Sequence, residues 1–158
     1  MDSLTQVIVG GIIGEKTLGK EIGNKAILWG FAIGTLPDLD VFLSPFYNTV
    51  DNLFIHRGIS HSLLLTVLLS PLIAYLLKKL YSTKSVTFRQ WWTYSQAILF
   101  GAVFVDYLTG YGASIFWPFS GYRIELNTIA IVDIFFTLPL LIMLILLFAK
   151  RKSNRGIL

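Results

Sequence analysis

From Ser62 to Leu77 the chain carries no charged side chain, and the run closes on Lys78-Lys79. Extended by Leu80 and Tyr81, it is just long enough as a helix, at about 1.5 Å per residue, to cross a hydrocarbon core of about 30 Å. Pro71 predicts a kink within it. Thr128 to Ala149 is a second span of this kind, kinked near Pro139 and closed by Lys150-Arg151-Lys152. Such runs constrain the fold, because backbone polar groups in lipid must be satisfied within the segment itself. Only 14% of residues are charged and 54% are hydrophobic, where a soluble domain carries about a quarter charged residues. The expectation is an all-α fold: a polytopic membrane helical bundle of about five helices, the first two short. Residues 1–149 form the embedded domain and 150–158 a basic cytoplasmic tail.

The remaining helices are weaker signals. Leu4 to Gly14 is apolar and glycine-rich but too short to span, and Glu15 to Asn24 reads as a polar loop. Lys25 to Leu36 is a second short run, stopped by Pro37. Gly10, Gly11, Gly14, Gly30 and Gly34 would let these two helices pack closely as a hairpin. Trp91, Trp92 and Tyr94 read as an interfacial aromatic belt before a helix over Tyr94 to Leu108, and Thr109 to Asn127 reads as a loop.

Charge sets the orientation. The loops at 15–25, 78–90 and 150–158 hold every basic residue except Arg57 and Arg123, with only Glu15 and Glu21 among the acids. The positive-inside rule makes that side cytoplasmic, in a cytoplasmic membrane crossed several times, with the C-terminus inside. Asp2, Asp38, Asp40, Asp51, Asp106, Glu125, Asp133 and both histidines then face outward. Met1-Asp2-Ser3-Leu4 lacks the basic start of a cleavable signal peptide. There is no cysteine, hence no disulfide framework or thiolate chemistry. The basic residues form no aromatic-lined face, so nucleic acid is not an expected partner; the lipid bilayer is.

Asp and His are costly at the edge of a membrane and are seldom kept there without a partner. Asp38 and Asp40 follow Pro37, and His56 and His61 flank Gly58. Carboxylate and neutral imidazole are ligands for zinc, and mixed oxygen and nitrogen sets also suit manganese or iron, with magnesium a further option. Asp38, Asp40, His56, His61 and Asp106 are therefore the expected metal ligands. Asp51 and Glu125 read as ordinary acids of outer loops. Histidines five apart do not share a helix face, so a turn at Gly58 must bring His56 to His61, with Ser60 as a plausible cap of the next helix. Asp38 or Asp40 could instead orient an imidazole by accepting its second N–H.

Met1-Asp2-x-x-Thr5, Leu36-Pro37-Asp38-Leu39-Asp40, His56-Arg57-Gly58-Ile59-Ser60-His61-Ser62, Val103-Phe104-Val105-Asp106, and Tyr111-Gly112 with Pro118-Phe119-Ser120 follow one another in that order. Together they resemble the YdjM-like family of membrane-bound metal-dependent hydrolases, from residue 1 to about 135, with a looser similarity to the zinc-dependent phospholipase C fold. The resemblance implies a divalent-metal hydrolase of a bacterial or archaeal cytoplasmic membrane, with a lipid or lipid-phosphate ester as substrate. Two positions depart from the family pattern. A Thr-His pair near the N-terminus is here Thr5-Gln6, and a histidine four residues before the fourth-helix Asp is here Ala102. They imply one ion fewer than in relatives that use those histidines.

For such a hydrolase, Asp38 or Asp106 would accept the proton of the attacking water, and Arg57 would pair with a phosphate. Two other classes stay open. One is a non-catalytic metal-binding membrane protein; the other is an accessory or transport protein, which predicts ionisable groups at the bilayer midplane.

Overall fold

Gln6, Gly10 and Gly14 fall at successive four-residue steps, so a helix places them on one face. The computed structural model, which describes residues 2–40, 58–81, 85–110 and 112–155 (backbone alone over 151–155), forms that helix as α1, Ser3–Ile22. The Asp2 side chain caps it by accepting from Thr5 N at 2.9 Å. Gly23, at φ +66°, reverses the chain in a left-handed conformation that glycine adopts without penalty. α2 follows over Asn24–Gly34. A Cβ at Gly10 would overlap the Gly30 carbonyl, and one at Gly30 would overlap the Gly10 carbonyl. The expected glycine-faced hairpin is therefore present.

α1 is longer than its sequence suggests. The expected polar loop from Glu15 continues the helix to Ile22. Thr17 Oγ1 bonds back to Ile13 O at 2.7 Å, and Leu18 and Gly19 turn inward while Lys16, Thr17, Lys20 and Glu21 face out. The charges lie on the outer face of one amphipathic helix.

A 3₁₀ turn over Ile59–His61 leads into α3, Leu63–Leu80, with Pro71 inside it. The cap is Ser62, whose Oγ accepts from Leu65 N at 3.2 Å, and not Ser60. α4, Phe88–Leu108, opens on a Thr87–Gln90 capping box. α5 is Ile134–Arg155, beginning after Asp133, which accepts from Phe136 N at 3.1 Å. It starts later than the expected Thr128, and it carries residues 150–155 onward as helix. The described residues form five α-helices and no strand beyond two isolated bridges.

α1 and α2 pack on each other, α3 packs on α4, and α1 joins both α4 and α5. The main core holds Leu18, Ile33, Leu77, Trp91, Tyr94 and Ile98. Trp91 and Tyr94 are thus interior, not an interfacial belt: Trp91 stacks on Tyr81, and Tyr94 OH donates to Ala26 O at 2.6 Å. Of that expected belt only Trp92 is exposed. Tyr94→Phe is expected to cost about 0.5–1.5 kcal/mol, the net worth of one hydrogen bond, read by thermal unfolding in detergent.

Among the described residues one helix, α3, is long and apolar enough to cross a membrane, with mean hydropathy 1.8, and α5 contains a shorter apolar stretch over Ile134–Lys150. Only 22% of the α3 span is buried inside the protein. A core helix of a soluble fold would be mostly covered. Here Val67, Leu68, Leu72, Tyr75 and Leu76 face outward, as lipid-facing residues do.

The helix directions sort the charges. α1 and α3 start, and α2 and α4 finish, at one end of the bundle. α5 also starts there, since Thr137 Oγ1 lies 2.6 Å from Thr5 Oγ1. Asp2, Asp38, Asp106 and Asp133 sit at that end. Lys20, Lys25, Lys78, Lys79, Arg89 and Lys150 lie toward the other.

Candidate metal centre

Three elements bring a ligand atom to the acidic end. The chain leaves α2 at Thr35 and coils through a 3₁₀ turn over 36–40, which carries Asp38 and Asp40. The turn before α3 carries His61, and the last turn of α4 carries Asp106. One ligand atom from each of Asp38, His61 and Asp106 lies within 4.8 Å of the others. His61 Nε2 is 3.0 Å from Asp106 Oδ2 and 3.4 Å from Asp38 Oδ1. His61 and Asp106 are fully buried, and the Asp38 side chain is 17% exposed.

His61 Nε2 is close to two oxygens, yet it is a buried nitrogen without a properly directed hydrogen bond. The contact is charge proximity more than an aligned bond. Such a nitrogen, facing two carboxylates, is the arrangement a cation would complete. The donor set fits a divalent metal: one imidazole and two carboxylates leave positions for water or substrate.

The other ring nitrogen is tied down. Ser60 Oγ lies 2.9 Å from His61 Nδ1 and donates to Asp40 Oδ2 at 2.6 Å. Asp40 itself is 4.0 Å from Nδ1. Asp40 therefore stands behind the ring and orients it through Ser60, outside the group formed by Asp38, His61 and Asp106. Of the other expected site residues, His56 and Arg57 lie outside the described residues, as does Asp51.

Gln6 was not among the expected ligands, yet it is fully buried in the centre. Its amide nitrogen donates to Asp106 Oδ2 at 2.8 Å and to Asp38 Oδ1 at 3.3 Å. Ala102, one turn before Asp106, is buried on α4 and brings no polar atom. Ser3 Oγ reaches the other Asp38 oxygen at 3.5 Å.

Burial opposes charge on the His61 ring. The Asp106 and Asp38 oxygens close to Nε2 outweigh it and raise the imidazole pKa above its ordinary 6.5. The ring lies in the 3₁₀ turn that precedes α3.

The model of the YdjM inner membrane protein family matches residues 1–158. This chain belongs to the YdjM inner membrane protein family. Membership in YdjM associates it with a lipid bilayer, in accord with the uncovered faces of α3. The YdjM match spans every element that contributes to the centre, from Gln6 on α1 to Asp106 on α4. No curated protein and no solved structure matches the chain.

Proposed function

We propose that this YdjM protein is a membrane-bound hydrolase that uses a divalent metal held by Asp38, His61 and Asp106 to cleave a phosphoester of a phospholipid or lipid phosphate. The observation that carries the reading is the convergence of two carboxylate oxygens, from Asp38 and Asp106, on a buried imidazole nitrogen without a directed hydrogen bond. A bound ion supplies a Lewis acid and a water whose pKa is lowered to about 7. Asp106, fully buried, is held in the metal-free centre by the Gln6 amide N–H. Asp38 is the more accessible carboxylate, and it takes the proton of the attacking water as general base. Asp40 and Ser60 hold the imidazole in orientation. The sequence further offers His56 as a ligand and Arg57 as a phosphate partner.

The charge sorting supports a multi-pass topology in which the centre faces outward and the basic end, with the C-terminus, is cytoplasmic. A lipid headgroup would then meet the centre at the outer leaflet.

A second reading is favoured by Gln6, whose amide cross-links both carboxylates. In that reading the cluster is a non-catalytic fastening of helix ends, with or without an ion. Elemental analysis of detergent-purified protein, followed by assay of phospholipid and lipid-phosphate vesicles for released headgroup or phosphate, separates the two. About one metal per chain with hydrolysis that a chelator abolishes supports the hydrolase; metal without turnover supports the fastening; no stoichiometric metal after reconstitution removes the hydrolase reading.

Metal binding should also depend on pH in a defined sense. The ion needs the neutral imidazole, and the proton is held more tightly here than on a free ring. Affinity is expected to fall as pH drops through the raised His61 value, beginning above 6.5. The metal-free protein should behave oppositely. Stability from the charged ring is full below the unfolded value and is lost as pH rises through the folded one. Melting curves with and without metal across that range should therefore diverge with rising pH; parallel curves would remove His61 from the site.

A further inference from the structure

We propose that Gln6 is itself a ligand of the ion through its side-chain carbonyl oxygen, and that this oxygen biases the centre toward a hard divalent cation, manganese or magnesium, over zinc. The inference rests on the metal-centre reading above and adds a ligand and a selectivity to it.

Two nitrogens converge on one pair of oxygens. Gln6 Nε2 and His61 Nε2 both face Asp106 Oδ2 and Asp38 Oδ1, the first at 2.8 and 3.3 Å, the second at 3.0 and 3.4 Å. The amide nitrogen thus stands where a cation bridging the carboxylates would be contacted. The other atom of the same amide, Oε1, is buried and has no hydrogen-bond partner. Leaving such a buried carbonyl unsatisfied is unfavourable.

A half-turn about the last side-chain bond exchanges oxygen and nitrogen with almost no change of shape. In the orientation present Oε1 has no partner, so what lies between the carboxylates decides which orientation is adopted. Two anionic oxygens favour the N–H side. A dication between them favours the carbonyl side. The amide orientation follows the ion.

The resulting donors are one oxygen each from Asp38, Asp106 and Gln6, and one nitrogen from His61. Carboxylate and carbonyl oxygens suit magnesium and manganese, whereas added imidazoles favour zinc. Ala102, in the same end of α4, adds no nitrogen. Gln6 therefore adds an oxygen donor and no nitrogen.

The test is calorimetric titration of the purified protein with manganese and with zinc separately, for wild type, Gln6→Leu and Gln6→His, each checked for helicity and metal-free melting. Gln6→Leu should weaken manganese binding by more than the roughly tenfold to hundredfold lost when a residue that only supports a ligand is removed. Gln6→His should shift the manganese-to-zinc preference toward zinc by a comparable factor. If Gln6→Leu folds poorly, that shift in Gln6→His still decides the matter. Wild-type manganese affinity in Gln6→Leu, or an unchanged metal preference in Gln6→His, overturns the proposal while leaving the centre standing. A wild-type protein that binds neither metal overturns the centre and the proposal together.

Discussion

His61→Ala is expected to empty the centre of metal. The ring supplies the only nitrogen of the Asp38, His61 and Asp106 group. Losing a residue that merely supports a ligand costs about tenfold to a hundredfold in affinity, so losing the ligand itself should exceed that range. Elemental analysis of the variant should find metal near background after purification in a buffer that leaves wild type loaded. Ser60→Ala offers a graded comparison. It removes the hydroxyl between Nδ1 and Asp40 but leaves the coordinating nitrogen, so it should show the tenfold to hundredfold loss. Full metal content in His61→Ala would show that the ion, if present, is held elsewhere.

Gly10→Ala should destabilise the protein, against the usual sign for such a change in a helix. Alanine is favoured over glycine by about 1 kcal/mol from propensity alone. Here the added methyl overlaps the Gly30 carbonyl and comes within 3.2 Å of Gly34 Cα. Backbone cannot swing aside as a side chain can, so the hairpin must open. Overpacking of this kind costs about 1–3 kcal/mol, occasionally more, and each kcal/mol lowers Tm by roughly 2–4 °C at this chain length. The damage should extend to the centre, since Gln6 lies one turn before Gly10 and Asp38 follows directly from α2. Gly121→Ala is the control, as nothing lies within 4 Å of the new methyl. A Gly10→Ala protein that melts with wild type would mean the two helices do not approach as described.

Asp38, His61 and Asp106 were legible in the sequence because ionisable groups beside long apolar runs have few structural uses. Their convergence follows from alternating helix directions, which the charge asymmetry also reports. The division of labour between Asp38 and Asp40 was not legible, because it depends on the 3₁₀ turn over 36–40 and on a hydroxyl, Ser60, that looked like a helix cap. Gln6 looked like a lost ligand when judged by residue type. The signal that could have placed it was its spacing: it shares a face with Gly10 and Gly14, the face that α2 covers. The second half of α1 is masked by its charged residues, which read as a loop, although their spacing keeps Leu18 and Gly19 inward. The Trp91 and Tyr94 rings were read as interfacial from their composition, and only tertiary packing distinguishes a buried aromatic from an anchoring one.

Gln6 and Asp106 are separated by 100 residues of chain, yet they share a hydrogen bond. At about 5–20 residues per second of synthesis, roughly 5–20 s elapse between the emergence of one and the other. During that interval the α1–α2 hairpin can form from neighbouring sequence, but the Asp38 carboxylate has neither α4 nor its counter-ligands beside it. On the proposed metal reading, ion capture would be a late event in biogenesis. A chain halted before α4 is made has no complete site, so uptake of the ion would mark the molecules that have finished assembling.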